Sequence, residues 1–240
     1  MLFPAECICC HGTAGSDTML CDRCAEKLLR PQPPFCTYCG VSLEACRCRK
    51  TPHPYEACIA PFYYEGTVRD AILALKFGGR EDASFFLAQE LSKTVNAEYF
   101  GIRFDLITCV PTTNSSEAAR GYNQAESIAK RMCIDTGFGE SPEADFHLLC
   151  KKETDQFQHM LDAYGRKRNI RNAFALSKGR NVSGKTILLV DDILTTGATA
   201  GECASILRLN GAAAVYTACA AVTRNTGAQY QHTKESIEKS

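Results

Sequence analysis

From about residue 55 onwards the chain switches between two hydrophobic periods. Cys58–Tyr64, Asp105–Val110, Thr186–Val190 and Ala213–Ala221 are short, nearly unbroken apolar runs, the pattern of strands covered on both faces. Thr67–Lys76, Ala83–Asn96, the stretch near Asn123–Asp135 and Thr199–Leu209 instead repeat apolar positions every three or four residues, which predicts helices with one buried side. A polar loop around Lys151–Gly165 and a short helix ending at Arg171 precede the strand at Thr186. Strands and helices in alternation predict an α/β fold, a parallel sheet with helices on both faces. The tail beyond Arg224 is polar.

The first 50 residues show neither period. Nine of the 15 cysteines fall in the first 48 positions, and Arg30-Pro31-Gln32-Pro33-Pro34 breaks the segment in the middle. Such a stretch has too little apolar material to close a conventional core, so it needs a metal to fold. Cys7/Cys10, Cys21/Cys24 and Cys36/Cys39 are C-x-x-C pairs, and Cys46-Arg47-Cys48 is a tighter fourth. Eight thiolates make two tetrahedral zinc sites. Neighbouring pairs are expected to share a metal, although an interleaved arrangement satisfies the same spacing. Cys9 and His11 are spare donors beside the first site. Four sulfurs leave no coordination position open to water, so both zincs are expected to be structural. The other six cysteines, Cys58, Cys109, Cys133, Cys150, Cys203 and Cys219, sit mostly among apolar neighbours and read as small hydrophobes. The expected organisation is a cysteine-rich double zinc ribbon over residues 1–50, a linker over 51–55, an α/β domain over 56–224 and a tail over 225–240.

Charge narrows the partners. With 27 basic and 27 acidic residues the formal net charge is zero, so any hold on nucleic acid or membrane must come from a local patch. No apolar run reaches the ~20 residues of a membrane span, and the start MLFPAECICC lacks a signal-peptide pattern, so a cytoplasmic protein is expected.

The densest chemistry lies in Thr186–Thr199, where an apolar strand meets Asp191 and Asp192 and then Leu194-Thr195-Thr196-Gly197-Ala198-Thr199 leads into a helix. A helix N-terminus offers free N–H groups and partial positive charge to a phosphate, the threonines add hydroxyls, and Gly197 lets the backbone approach closely. Two carboxylates repel a bare phosphate but accept hydrogen bonds from a vicinal diol, so the ligand should carry a ribose beside its phosphate. The segment resembles the phosphoribosyl-diphosphate (PRPP) loop of type I phosphoribosyltransferases. Gly179–Thr186 also satisfies the P-loop pattern, but Lys185-Thr186 runs into a strand where a P-loop opens a helix, so that match is set aside.

Further segments recur in a fixed order: Tyr63-Tyr64-Glu65-Gly66, Leu75-Lys76-Phe77, Val110-Pro111, Arg120-Gly121-Tyr122-Asn123-Gln124, Thr154-Asp155-Gln156, Arg166-Lys167-Arg168-Asn169-Ile170 and Ala173-Phe174. With the paired cysteines before them and the acidic loop after them, they make the chain similar to the ComF family, phosphoribosyltransferase-like proteins several of which are associated with DNA uptake in competent bacteria. The resemblance implies a type I phosphoribosyltransferase-like fold, Asp191 and Asp192 on the ribose hydroxyls, and Leu194–Thr199 around the 5-phosphate. It implies Val110, Pro111 and Thr112 facing the pyrophosphate, with Lys76, Arg120 and Arg166 as weaker candidates for its charge, assisted by Mg²⁺. Where the family commonly has Pro-x-Pro before that turn, this chain reads Thr108-Cys109-Val110-Pro111. Each of these groups also has a plainer reading: Asn123 as a helix cap, Lys76 as a complement to a helix dipole, the Arg166–Arg171 cluster as a solvated face.

Two functions follow. One is phosphoribosyl transfer from PRPP to an acceptor that no motif identifies, in a protein of DNA uptake. The other is a binding protein that senses PRPP or a nucleotide and holds single-stranded DNA or an uptake partner. For that role the candidates are the zinc ribbon, Arg47, Arg49, Lys50, the Arg166–Arg171 cluster, and Tyr38, Tyr55 and Tyr164 as stacking groups.

Overall fold

The computed structural model describes residues 6–15, 19–48, 54–77, 79–113, 117–118, 121–135, 142–152 and 173–224. Its centre is a six-stranded sheet in which every pairing is parallel, in the order β1–β8–β7–β3–β4, with β2 continuing along β8 beyond β1. The strands are β1 (Cys58–Ile59), β2 (Phe62–Tyr63), β3 (Leu106–Cys109), β4 (Glu143–Ala144), β7 (Thr186–Leu194) and β8 (Ala214–Val222). A separate antiparallel pair joins β5 (Leu149–Lys151) to β6 (Phe174–Leu176).

The period-two alternation of the central strands divides the interior into two cores. Leu188 and Val190 of β7 and Ala218 and Ala220 of β8 face one core with Ile107 and Cys109 of β3. That side is covered by α2 (Gly66–Phe77), α3 (Ala83–Glu98) and α4 (Gln124–Asp135), whose buried rows Val68/Ala71/Ile72/Leu75 and Ala125/Ile128/Ala129/Met132 keep helical spacing. Ile187 and Leu189 of β7 and Val215 and Cys219 of β8 face the other core, beneath Ala200, Cys203, Ala204 and Leu207 of α5 (Ala198–Leu209). The α/β expectation, a parallel sheet with helices on both faces, is therefore met.

The expected strand Cys58–Tyr64 is interrupted. Cys58 pairs with Thr217 and Phe62 with Ala221 in the same register, but the ladder lapses at Ala60-Pro61, because proline has no N–H to give. The strand expected to end at Val190 runs on to Leu194, since Ile193 and Leu194 pair with Ala221 and Val222. The helix after it opens one residue early, at Ala198. Thr186 opens β7 and no helix, which removes the structural context of a P-loop.

The cysteine-rich segment holds α1 (Asp22–Ala25) and a 3-10 turn, Leu43–Ala45, and it joins both cores. Cys7, Ile8, Leu20 and Cys24 pack with the α2 and α3 side, whereas Cys36, Cys39 and Val41 pack with the α5 side. The helix expected to end at Arg171, most of the loop beyond Lys152, residues 51–53 of the expected linker and the tail 225–240 lie outside the described residues. Among the described residues no helix is long and apolar enough to cross a membrane.

Candidate functional site

Parallel sheets gather ligand-binding groups at the carboxyl ends of their strands. At that end of β7, Asp191 continues the odd row and stays beside Cys219 in the β8 register. Asp192 falls on the even row, toward α2, where its Oδ2 lies 2.6 Å from Lys76 Nζ in a partly buried ion pair. Lys76 lies in the last turn of α2 and Asp192 follows the apolar part of β7, so two candidates distant in sequence meet directly. The Asp192 N–H donates to Asp191 Oδ1 at 2.8 Å. Burial pushes the Asp191 carboxyl well above the usual carboxylate range and the adjacent Asp192 adds to this, with the Asp192 N–H and the Lys76 charge opposing.

Beyond the acids, Leu194 is buried, Thr195 and Thr196 are exposed, and Gly197 caps α5 in the left-handed region at φ 74°. A side chain there would be strained, so glycine is what permits so sharp an entry to the helix. At the start of α5 the Ala198 N–H donates to Thr196 Oγ1 at 3.4 Å, and the Thr199 and Ala200 N–H groups that follow have no carbonyl within the helix to bind, the first such bond being Gly201 N–H to Gly197 O. Thr223 tethers this turn: its N–H donates to Leu194 O at 3.0 Å and its hydroxyl reaches Thr195 O at 3.4 Å. A lone threonine at a strand end carries no signal in the sequence that would reveal this part.

At the end of β3, Val110 is buried and Pro111 and Thr112 are partly exposed. The Asn123 amide donates to Val110 O at 3.0 Å while its Oδ1 accepts the Ala125 N–H at 3.1 Å, so one buried side chain caps α4 and holds the β3 turn. Tyr122 donates its hydroxyl to Leu75 O, beside Lys76. The Tyr122-Asn123 motif thus braces α2 and β3 against each other. The capping role of Asn123 is present, and it comes with a second bond that capping alone would not need. Arg120, Arg166, Thr154-Asp155-Gln156, Tyr164, Arg49 and Lys50 lie outside the described residues.

The eight paired cysteines form two groups, Cys7/Cys10/Cys21/Cys24 and Cys36/Cys39/Cys46/Cys48, with the four sulfurs of each within 4.8 Å of one another. Neighbouring pairs combine and interleaving is not seen. Separations of 3.6 Å for Cys10–Cys21, Cys36–Cys48 and Cys39–Cys46 are close to the ~3.8 Å edge of a tetrahedron with metal–sulfur bonds of ~2.3 Å. The Gly12 N–H and then the Cys21 and Cys24 thiols hold the Cys10 thiol down at about 6, the ionised form that a metal ligand requires. These donors fit zinc. Cys9 and His11 stay out of the first group: Cys9 Sγ donates to Thr67 O at 3.3 Å and His11 Nδ1 pairs with Glu6. Burial pushes the Cys9 thiol up to about 12, so it keeps its proton. Tyr55 is buried with its hydroxyl on Tyr38 O, which removes it as an exposed stacking group, while Arg47 is exposed beside the second tetrad.

Against known families, residues 80–238 match the model of the phosphoribosyl transferase domain. Among curated relatives, the DNA utilization protein YhgH of Salmonella typhimurium is 30% identical over 225 residues, 90% of this chain and 96% of that protein. Competence protein F of Haemophilus influenzae is 24% identical over 226 residues, 87% of this chain and 93% of its own. Among solved structures, a hypoxanthine phosphoribosyltransferase of Staphylococcus aureus overlaps 58% of this chain and 62% of its own at 18% identity and a TM-score of 0.34, too partial an overlap to transfer any residue's role. With so much of its length shared with competence and DNA-utilization proteins, and with the central strands of its sheet and its acidic turn inside the matched domain, the chain belongs to the ComF family of phosphoribosyltransferase-like proteins.

Proposed function

We propose that the carboxyl end of β7 binds PRPP and that the protein moves its phosphoribosyl group to an acceptor in the service of DNA uptake or utilization. The observation that carries this reading is the meeting of an acidic pair, a cation and a helix N-terminus around one strand end. Asp191 and Asp192 accept the ribose hydroxyls, and Leu194, Thr195, Thr196, Gly197, Ala198 and Thr199 enclose the 5-phosphate. Val110, Pro111 and Thr112 border the pyrophosphate, and Lys76 stands on Asp192 where its charge reaches both ligand and acid. Arg120 and Arg166 are proposed as additional pyrophosphate cations.

Mg²⁺ keeps most of its waters and takes its other ligands from substrate phosphates and one or two carboxylates, which fits a site with two acids and no further oxygen cage among the described residues. Bound with pyrophosphate, it supplies charge neutralisation of the leaving group. The chain's own residues orient the ribose and hold the phosphate, so positioning and electrostatics carry the catalysis and no covalent nucleophile is needed. The two tetrads hold zinc and shape the fold, with no open coordination position for chemistry.

The relatives' names motivate the role in DNA uptake, and they also support a second reading in which the chain contacts single-stranded DNA through the cysteine module. Of the basic candidates Arg47, Arg49 and Lys50, Arg47 is among the described residues, and it is exposed. Calorimetric titration with PRPP and Mg²⁺ tests the first reading beside an Asp191→Asn/Asp192→Asn variant. Heat in the unaltered protein and none in the variant is expected. Absence of heat in both, together with salt-sensitive retention of a single-stranded oligonucleotide, would sink the transferase reading in favour of the second.

A further inference from the structure

The two cysteine tetrads sit on opposite faces of the sheet, and each touches a different element of the site. The first grips α2 along its length. Cys9 donates to Thr67 O at the start of the helix, and Cys7, Ile8, Leu20 and Cys24 share a core with Val68, Ala71, Ile72 and Leu75. Past the far end of α2, Arg80 reaches Glu6 at 3.4 Å. The last polar residue of that helix is Lys76, which rests on Asp192.

The second tetrad holds the strand end on the other side of the site. Ser42 Oγ and Tyr63 Oη lie 3.0 Å apart, and Tyr63 pairs with Val222 in the β2–β8 register. Gly40 comes so close that a Cβ on it would stand 3.3 Å from Cys58 O and 3.4 Å from Val222 Cγ1. The next residue of that strand end, Thr223, tethers the phosphate turn at Leu194 and Thr195.

We infer that the tetrads clamp the PRPP site from both sides: Cys9 positions α2 and hence Lys76 against Asp192, Ser42 positions the end of β8 and hence the Leu194–Thr199 turn, and metal loading sets PRPP affinity without touching PRPP. The inference rests on the PRPP reading above. It adds that residues outside the family-matched segment, and outside contact with ligand, tune the site. Metal loss at either tetrad, by chelation, then lowers PRPP affinity.

The test uses the full-length, zinc-loaded protein. Cys9→Ala and Ser42→Ala remove one positioning contact each and leave all eight tetrad cysteines in place, so metal analysis should still find two zincs per chain. PRPP–Mg²⁺ titration of the double variant should show affinity about tenfold weaker, and Cys9→Ser should recover the Cys9 share because its hydroxyl can donate to Thr67 O. Amide hydrogen exchange without ligand should speed up in α2 of Cys9→Ala and stay unchanged in α5. Unaltered PRPP affinity in the double variant, or unaltered exchange in α2, would overturn the clamp. If the unaltered protein gave no PRPP heat, the PRPP reading itself would fall, and the exchange result would still decide whether Cys9 positions α2.

Discussion

Asp191 shows how a residue can serve a ligand at the expense of the fold. Its carboxyl is raised above the usual range chiefly by burial, so the folded protein holds that proton more tightly than the unfolded chain does. The stability that goes with the proton is complete below the unfolded value of about 3.9 and is lost as pH rises through the folded value. Asp191→Asn carries no charge at any pH, so urea melts should find it level with the unaltered protein near about pH 4 and more stable than it at alkaline pH. Its PRPP heat should fall over the same range, since an amide cannot accept two hydroxyls as a carboxylate does. The two acids were legible in the sequence because adjacent carboxylates after an apolar run demand a reason. The partner of Asp192 was not: Lys76 reads equally well as a dipole complement until the fold brings it within 2.6 Å. Thr223 was not legible either, because its role depends on which loop lies beside it.

Among the elements, those with a long and regular period were foreseen and those defined by partners were not. α2, α3, α4, α5, β7 and β8 follow their hydrophobic rows to within a few residues. β4 has two residues, both exposed, and β5 and β6 have three each, too short for any period to register. Pro61 was visible, but its effect, a gap in a ladder that keeps its register, follows only from the pairing with β8. The junction of β3 and α4 depends on Asn123, whose two bonds satisfy a strand carbonyl and a helix N–H together. Asn123→Ala should cost about 2–3 kcal/mol in thermal or denaturant unfolding, a helix cap plus a buried carbonyl left without its donor. Asn123→Asp keeps the cap and loses the amide donor, and should recover part of that loss.

For the whole molecule, the paired cysteines announced two metal sites, and neighbouring pairs do combine, yet nothing in their spacing said that the sites would lie on opposite faces of one sheet. Elemental analysis should find two zincs per chain, and stripping them with a strong chelator should lower the melting temperature by about 10 °C or more, because two cores lose their edges together. The order of the strands carries one more consequence. β8 lies between β1 and β7 although it is the last strand among the described residues, and both β1 and β2 pair with it. During synthesis the cysteine segment and the first two strands leave the ribosome long before their sheet partner exists. Metal captured early would fold each knuckle locally and keep its thiols out of wrong disulfides, so the supply of zinc during translation, and not only afterwards, would decide how much of the protein reaches its native state.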